Sequence, residues 1–258
     1  MNPEPGTRND EPRLRPSRAS GRREPVEGRN PEPRNVLPLL HLCDSLFPIG
    51  AFVYSDGLEA ATGHGGVATV DDLSCWLDVC LRESIGRLEG PAVWRSFAAF
   101  DAVDWTAITE IDDELTAVRP SCSARRSSRA MGLRLLTTWH ALRPHPHLDR
   151  ALALARAGSI GPTLPVAFAG AAACVGIARR DAVEGYAYTR LAATISAAMR
   201  LMPIGQTDAH TLLARILDRV PAIVDAVTES NAPLECFTPV MDIAAMTQQY
   251  LHSRVFRS

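Results

Sequence analysis

The chain is 258 residues long, 46% apolar and carries a formal charge of −2, with an isoelectric point near 6.4. That length and apolar content suffice to bury a sizeable core, and the charge balance offers no basic footprint for nucleic acid. All 27 basic side chains are Arg, and without Lys the chain can house neither a G-x-x-x-x-G-K-[ST] phosphate loop nor Schiff-base or pyridoxal chemistry.

Residues 1–35 hold seven Pro, eight Arg and six acids, giving +2 and leaving −4 on the remainder. So little there can be buried that a disordered, solvated tail is expected, with a partner-docking arm as the alternative. No apolar stretch of a signal peptide opens the chain, so a cytoplasmic location is expected. From Val36 onward apolar residues recur at three and four, the helical period, and no alternating strand segment is found. Leu73, Leu77, Leu81, Ile85 and Leu88 form one stripe, with Thr69 and Asp72 placed as an N-terminal cap. A second stripe runs through Val183, Ala187, Leu191, Ile195 and Ala198. A third takes in Leu212, Leu213, Ile216, Leu217 and Val220 before Pro221 kinks or restarts the helix. Breaks are expected at Gly63–Gly66, Gly90-Pro91, Pro120, Pro144–Pro146, Gly161–Pro165, Pro203–Gly205 and Pro233. The pattern predicts an all-α fold, a single bundle of about ten helices over residues 36–258. The uncharged stretch Ile160–Ala178 is broken by Pro162 and Pro165. It leaves about 13 apolar residues, too few to cross a bilayer, so it reads as a buried helix and no membrane contact is expected.

Residues with catalytic or metal-binding chemistry are scattered. His145 and His147 flank Pro146 without the i, i+4 spacing of helical zinc motifs, and read as a solvated loop. Asp112, Asp113 and Glu114 are consecutive, so they fan around a helix and read as a solvated face. Cys75 and Cys80 diverge. The six cysteines show no disulfide or C-x-x-C spacing and read as reduced, mostly packed thiols. No G-x-S-x-G elbow is present, and no cofactor or catalytic residue is predicted.

Three segments carry more than bundle packing requires. The loop Ser45–Glu59 holds Phe47, Ile49, Phe52 and Tyr54, too apolar for a plain solvent loop. In Met202–Asp208, Pro203 ends a helix, Thr207 or Asp208 can cap the next, and Gln206 can brace the turn. The final Tyr250–Ser258 has the composition of an anchor that orders on a partner. Phe52, Tyr54, Gly205, Gln206, Arg254, Val255, Phe256, Arg257 and Ser258 are therefore the candidate partner-binding residues. Two other readings stand beside a scaffold: a helical metal-dependent hydrolase or lyase, and a helical regulator binding a small ligand.

Taken in order, these segments resemble the UreF family of urease accessory proteins over about residues 36–258. The family's L-P-x-G-x-[FY]-x-Y-S-x-G-L-E is matched by Phe47-Pro48 through Glu59, its G-Q-T turn after Pro by Pro203–Thr207, and its S-R-[LI]-F-x-S ending by Ser253–Ser258. An R-x(n)-R-x-M-G stretch resembles Arg119 through Arg129 with Met131-Gly132. Ala51, Val53, Asp56 and His210 depart from the family pattern. The resemblance implies an all-helical homodimer that binds UreD, also called UreH, and helps recruit the GTPase UreG to the urease apoprotein for nickel insertion. Hydrolysis of GTP by that partner agrees with the missing Lys. The resemblance assigns Arg254–Arg257 to the UreD interface, gives the Tyr54 loop a part in assembly, and transfers no catalytic or metal role.

Overall fold

The computed structural model describes residues 36–257 together with Met1 and Asn2, so all but the first two residues of the expected tail over 1–35, and the final Ser258, lie outside the described residues. Twelve α-helices are present among them: α1 (Val36–Cys43), α2 (Leu58–Gly63), α3 (Val70–Val79), α4 (Gly90–Asp101), α5 (Trp105–Val118), α6 (Cys122–Leu142), α7 (Pro146–Arg156), α8 (Leu164–Ala173), α9 (Arg179–Leu201), α10 (Gln206–Leu217), α11 (Val220–Glu229) and α12 (Pro239–Thr247). No strand occurs among the described residues, where an isolated bridge between Tyr54 and Arg257 is found instead.

The three apolar stripes are buried as their spacing requires, apart from a half-buried Leu217 in the third, and Thr69 and Asp72 close a reciprocal capping box at the start of α3. The expected break at Gly90-Pro91 does not occur. The stretch Cys80–Glu89 widens into a π-helix that runs unbroken from α3 into α4, and the Gly90 N–H donates to the Ile85 carbonyl five residues back. Pro91 has no N–H to offer the Arg87 carbonyl. The Glu235 N–H takes that carbonyl instead, at 3.2 Å, so a connecting segment completes the bonding that the proline leaves open.

Helix α8 is buried from Leu164 through Ala172 and packs on α4, α6 and α9, as the uncharged stretch suggests. Two glycines let its neighbours come close. A Cβ on Gly132 would lie 2.0 Å from the Pro162 carbonyl oxygen, and one on Gly170 would lie 2.6 Å from the Phe100 ring. No described helix is long and apolar enough to cross a membrane.

Several local expectations are corrected. Asp112 is buried, because its carboxylate accepts the Gly161 and Thr163 N–H groups at 2.8 Å each and so secures the turn into α8. Burial pushes its pKa up, and those bonds oppose the shift. Glu114 accepts from the Leu234 N–H, and Asp113 alone of the three is exposed. Helix α10 is capped by Gly205 without a side-chain bond, in place of Thr207 or Asp208. His145 and His147 are half-buried at the start of α7, where His145 is the cap. All six cysteines are free, but Cys75 and Cys122 are exposed and not packed.

Candidate partner-binding surface

The loop between α1 and α2 owes its path to three positive-φ residues, Gly50 (φ 78°), Asp56 (φ 49°) and Gly57 (φ 89°). At Gly57 the freedom is required twice over. A Cβ there would sit 2.7 Å from the Ala245 nitrogen and 3.0 Å from the Met241 carbonyl oxygen, so glycine lets α2 lie directly on α12.

Asp56 is strained backbone for a non-glycine residue, and its side chain accounts for its presence. Its carboxylate pairs with Arg190 of α9, whose Nε also donates to Glu89 at 3.1 Å. Glu89, at the end of the π-helical stretch, further accepts from Arg119 and from the Tyr186 hydroxyl at 3.1 Å. Two carboxylates and two guanidiniums thus form an internally neutral network. Removing one member would leave a buried charge without its partner. Burial holds the Tyr186 phenol well above its usual pKa, so it remains the donor toward Glu89.

The end of the chain is held by Glu59 on α2, which is itself buried. Its carboxylate accepts the consecutive N–H groups of Val255 and Phe256, the second at 3.1 Å, and the Gln248 amide at 3.3 Å. Gln248 also accepts from Ser55 at 3.1 Å and donates to the Arg257 carbonyl at 3.1 Å. The Arg257 N–H reaches the Val53 carbonyl at 2.7 Å. Phe256, 4% exposed, helps line a cavity of about 160 Å³ with Leu42, Phe47, Phe52, Tyr54 and Tyr186. The Arg200 guanidinium lies 4.2 Å from the centre of its ring.

These contacts correct the expectation of a free anchoring tail. Phe256 is already covered by the chain's own fold, and Tyr54 is half-buried beside Arg257. Exposed in the same region are Phe52 (69%), Val255 (56%), Arg254 and Arg257. Gly205 and Gln206 are exposed at the start of α10, five and six residues beyond the Arg200 that grips both Phe256 and the Phe52 carbonyl.

The sequence reading missed an exposed apolar element of this region. Helix α12 buries Ala244, yet turns Val240 (70%), Ile243 (57%) and Met246 to solvent, with Phe237 before it and Tyr250 after it also exposed. The spacing 240, 243, 246 and 250 was a legible signal for one helical face, although periodicity by itself does not tell a core face from a docking face. Contiguous exposed apolar surface of this kind marks interaction sites in folded proteins.

These features define a class, an all-helical protein whose exposed apolar side chains gather beside a self-held C-terminal segment. The family model described as UreF matches residues 67–217. The chain is 33% identical over 226 residues to the urease accessory protein UreF of Methylibium petroleiphilum, covering 86% of this chain and 94% of that one. It is 32% identical to the protein of that name from Nitrosococcus oceani, with 87% and 99% covered, and 32% identical to that of an Azoarcus species, with 86% and 95% covered. The chain belongs to the UreF family of urease accessory proteins.

Proposed function

We propose that this chain is a non-catalytic scaffold of urease maturation. It works in the cytoplasm as a homodimer, binds UreD (UreH), and recruits the GTPase UreG to the urease apoprotein so that nickel, as cargo, reaches the urease site. Residues 36–258 act as one partner-binding domain. The reading is carried by the row Val240, Ile243, Met246 and Tyr250, which stays uncovered while the adjoining C-terminal segment is held by Glu59. Holding partners on one body raises their effective concentration for each other without any chemistry by the scaffold. A tail already ordered before binding lowers the entropy that a partner must offset, which favours a pre-formed surface over one folded on contact. In this scheme Phe52, Val255, Arg254 and Arg257 touch the partner, together with Gly205 and Gln206 beyond Arg200. Phe256 and Tyr54 set the shape of the surface from behind.

The test is pull-down of UreD by full-length chains carrying Ile243→Asp or Val255→Asp, together with nickel in co-expressed urease. Both positions are exposed, so helical circular dichroism should be unchanged while capture and nickel content fall together. Undiminished capture by both variants would refute the assignment of this surface. Deleting residues 254–258 is a less clean perturbation, because it also removes Phe256 from the core.

A further inference from the structure

His145 caps the start of α7, followed by Pro146 and His147 in its first turn, and Cys174 caps the end of α8. The two histidines and the cysteine lie at opposite ends of this pair of consecutive helices, yet the fold gathers one ligand atom from each of His145, His147 and Cys174 within 4.8 Å of one another. We infer that the three side chains form a binding site for a divalent first-row transition ion of borderline softness, Ni²⁺ or Zn²⁺.

The geometry is local and set by the backbone. Pro146 occupies the first helical position, which fixes the turn between the two histidines. Their rings stand 4.7 Å apart at 82°, so they do not stack and their edges can converge on one point. The Trp105 ring closes on His147 edge to face at 6.3 Å, restricting one side of it. All three ligand residues are half-buried, shielded enough to hold a fixed arrangement and open enough for an ion to enter.

Donor atoms around a four-coordinate ion with bonds of about 2.0–2.3 Å lie about 3.3–3.8 Å apart, so closing the site requires inward movements of less than about 1 Å from each side chain. Two imidazoles and a thiolate select against Mg²⁺ and Ca²⁺, which take oxygen ligands. Three protein donors leave a fourth position for water or for a donor from another protein, the arrangement of an ion held for exchange and not of a closed structural site. Binding also has a local cost. His145 now accepts the His147 N–H through Nδ1 at 3.2 Å. Ligation through Nδ1 replaces that bond, and ligation through Nε2 moves the ring proton to Nδ1 and gives it up as well. The Cys174 proton leaves to solvent as the sulfur–metal bond forms.

The experiment titrates the full-length chain with Co²⁺, in a Cys75→Ser/Cys122→Ser background that removes the two exposed thiols. The expected result is one Co²⁺ per chain with a near-ultraviolet thiolate-to-cobalt charge-transfer band, displaced by Ni²⁺ and by Zn²⁺. Cys174→Ser should abolish the band, and His147→Gln should weaken binding at least about tenfold, both with unchanged helical circular dichroism. The absence of a charge-transfer band, or a band that survives Cys174→Ser, would overturn the site. If Cys174→Ser does not fold, a His147→Gln titration indistinguishable from the parent overturns it equally. The readout uses the isolated chain, so its failure is separate from failure of the scaffold reading.

Discussion

Replacing Glu59 by Gln is the sharpest probe of the held C-terminus. The wild-type carboxylate receives two consecutive backbone N–H groups and the Gln248 amide in a buried setting. Gln keeps one acceptor oxygen and turns an NH₂ group toward a donor. One backbone amide therefore loses its partner at about 1–3 kcal/mol, and the bond that remains loses its charge assistance, worth about 1 kcal/mol. The sum, about 2–4 kcal/mol, falls on local opening of the segment, because α2 and α12 also meet through Gly57 and need not separate. Amide hydrogen exchange reads this directly. Val255, Phe256 and Arg257 should exchange about 30- to 700-fold faster in the variant, at about 1.4 kcal/mol per decade, while Leu81 and Ile85 in the buried helical stripe keep their protection. Tryptic cleavage after Arg254 should accelerate in parallel. A folded Glu59→Gln chain in which the Phe256 amide exchanges at the wild-type rate would refute the claim that Glu59 holds the end of the chain.

Two further outcomes follow from the same contacts. Gly57→Ala and Gly132→Ala each push a methyl group into backbone at 2.7 Å and 2.0 Å, and each should lower thermal stability by about 1–3 kcal/mol or more; a melting temperature within about one degree of wild type would contradict the close approaches. For Asp56, burial raises the carboxyl pKa, but the Arg190 charge and hydrogen bond, with Arg119 behind them, lower it further, and the net shift is downward. A depressed folded pKa contributes stability that is fully present above the unfolded value of about 3.9 and is lost as pH falls through the folded pKa. Asp56→Asn should therefore be less stable than wild type at neutral pH, with the gap narrowing as pH drops below about 4. Urea midpoints that differ equally at neutral and acid pH would exclude the ion pair as the source.

The structure also places the family-like residues in physical roles. The Arg-rich stretch before Met131-Gly132 contributes Arg119 to the buried charge network and Gly132 to the approach of α6 on the turn into α8. Asp56, which departs from the family pattern, pairs with Arg190. The motif that ends at Glu59 supplies the acid that holds the ending Arg254–Arg257, so two segments far apart in sequence are one mechanical unit.

By itself the sequence determined the all-helical fold, the inward faces, the capping box at Thr69 and the buried character of Leu164–Ala172. Each of these follows from periodicity or composition within a single segment, where neighbours in sequence are neighbours in space. Only the tertiary structure decided that Glu89, Arg119, Arg190 and Asp56 meet, that Asp112 is buried, that Phe256 is covered, and that Cys174 closes on His145 and His147. A polar side chain carries no periodic signature of its partner. Whether an acid faces water or two distant N–H groups depends on which helices pack together, and that choice is made by the summed burial of the apolar faces and not by the residue itself.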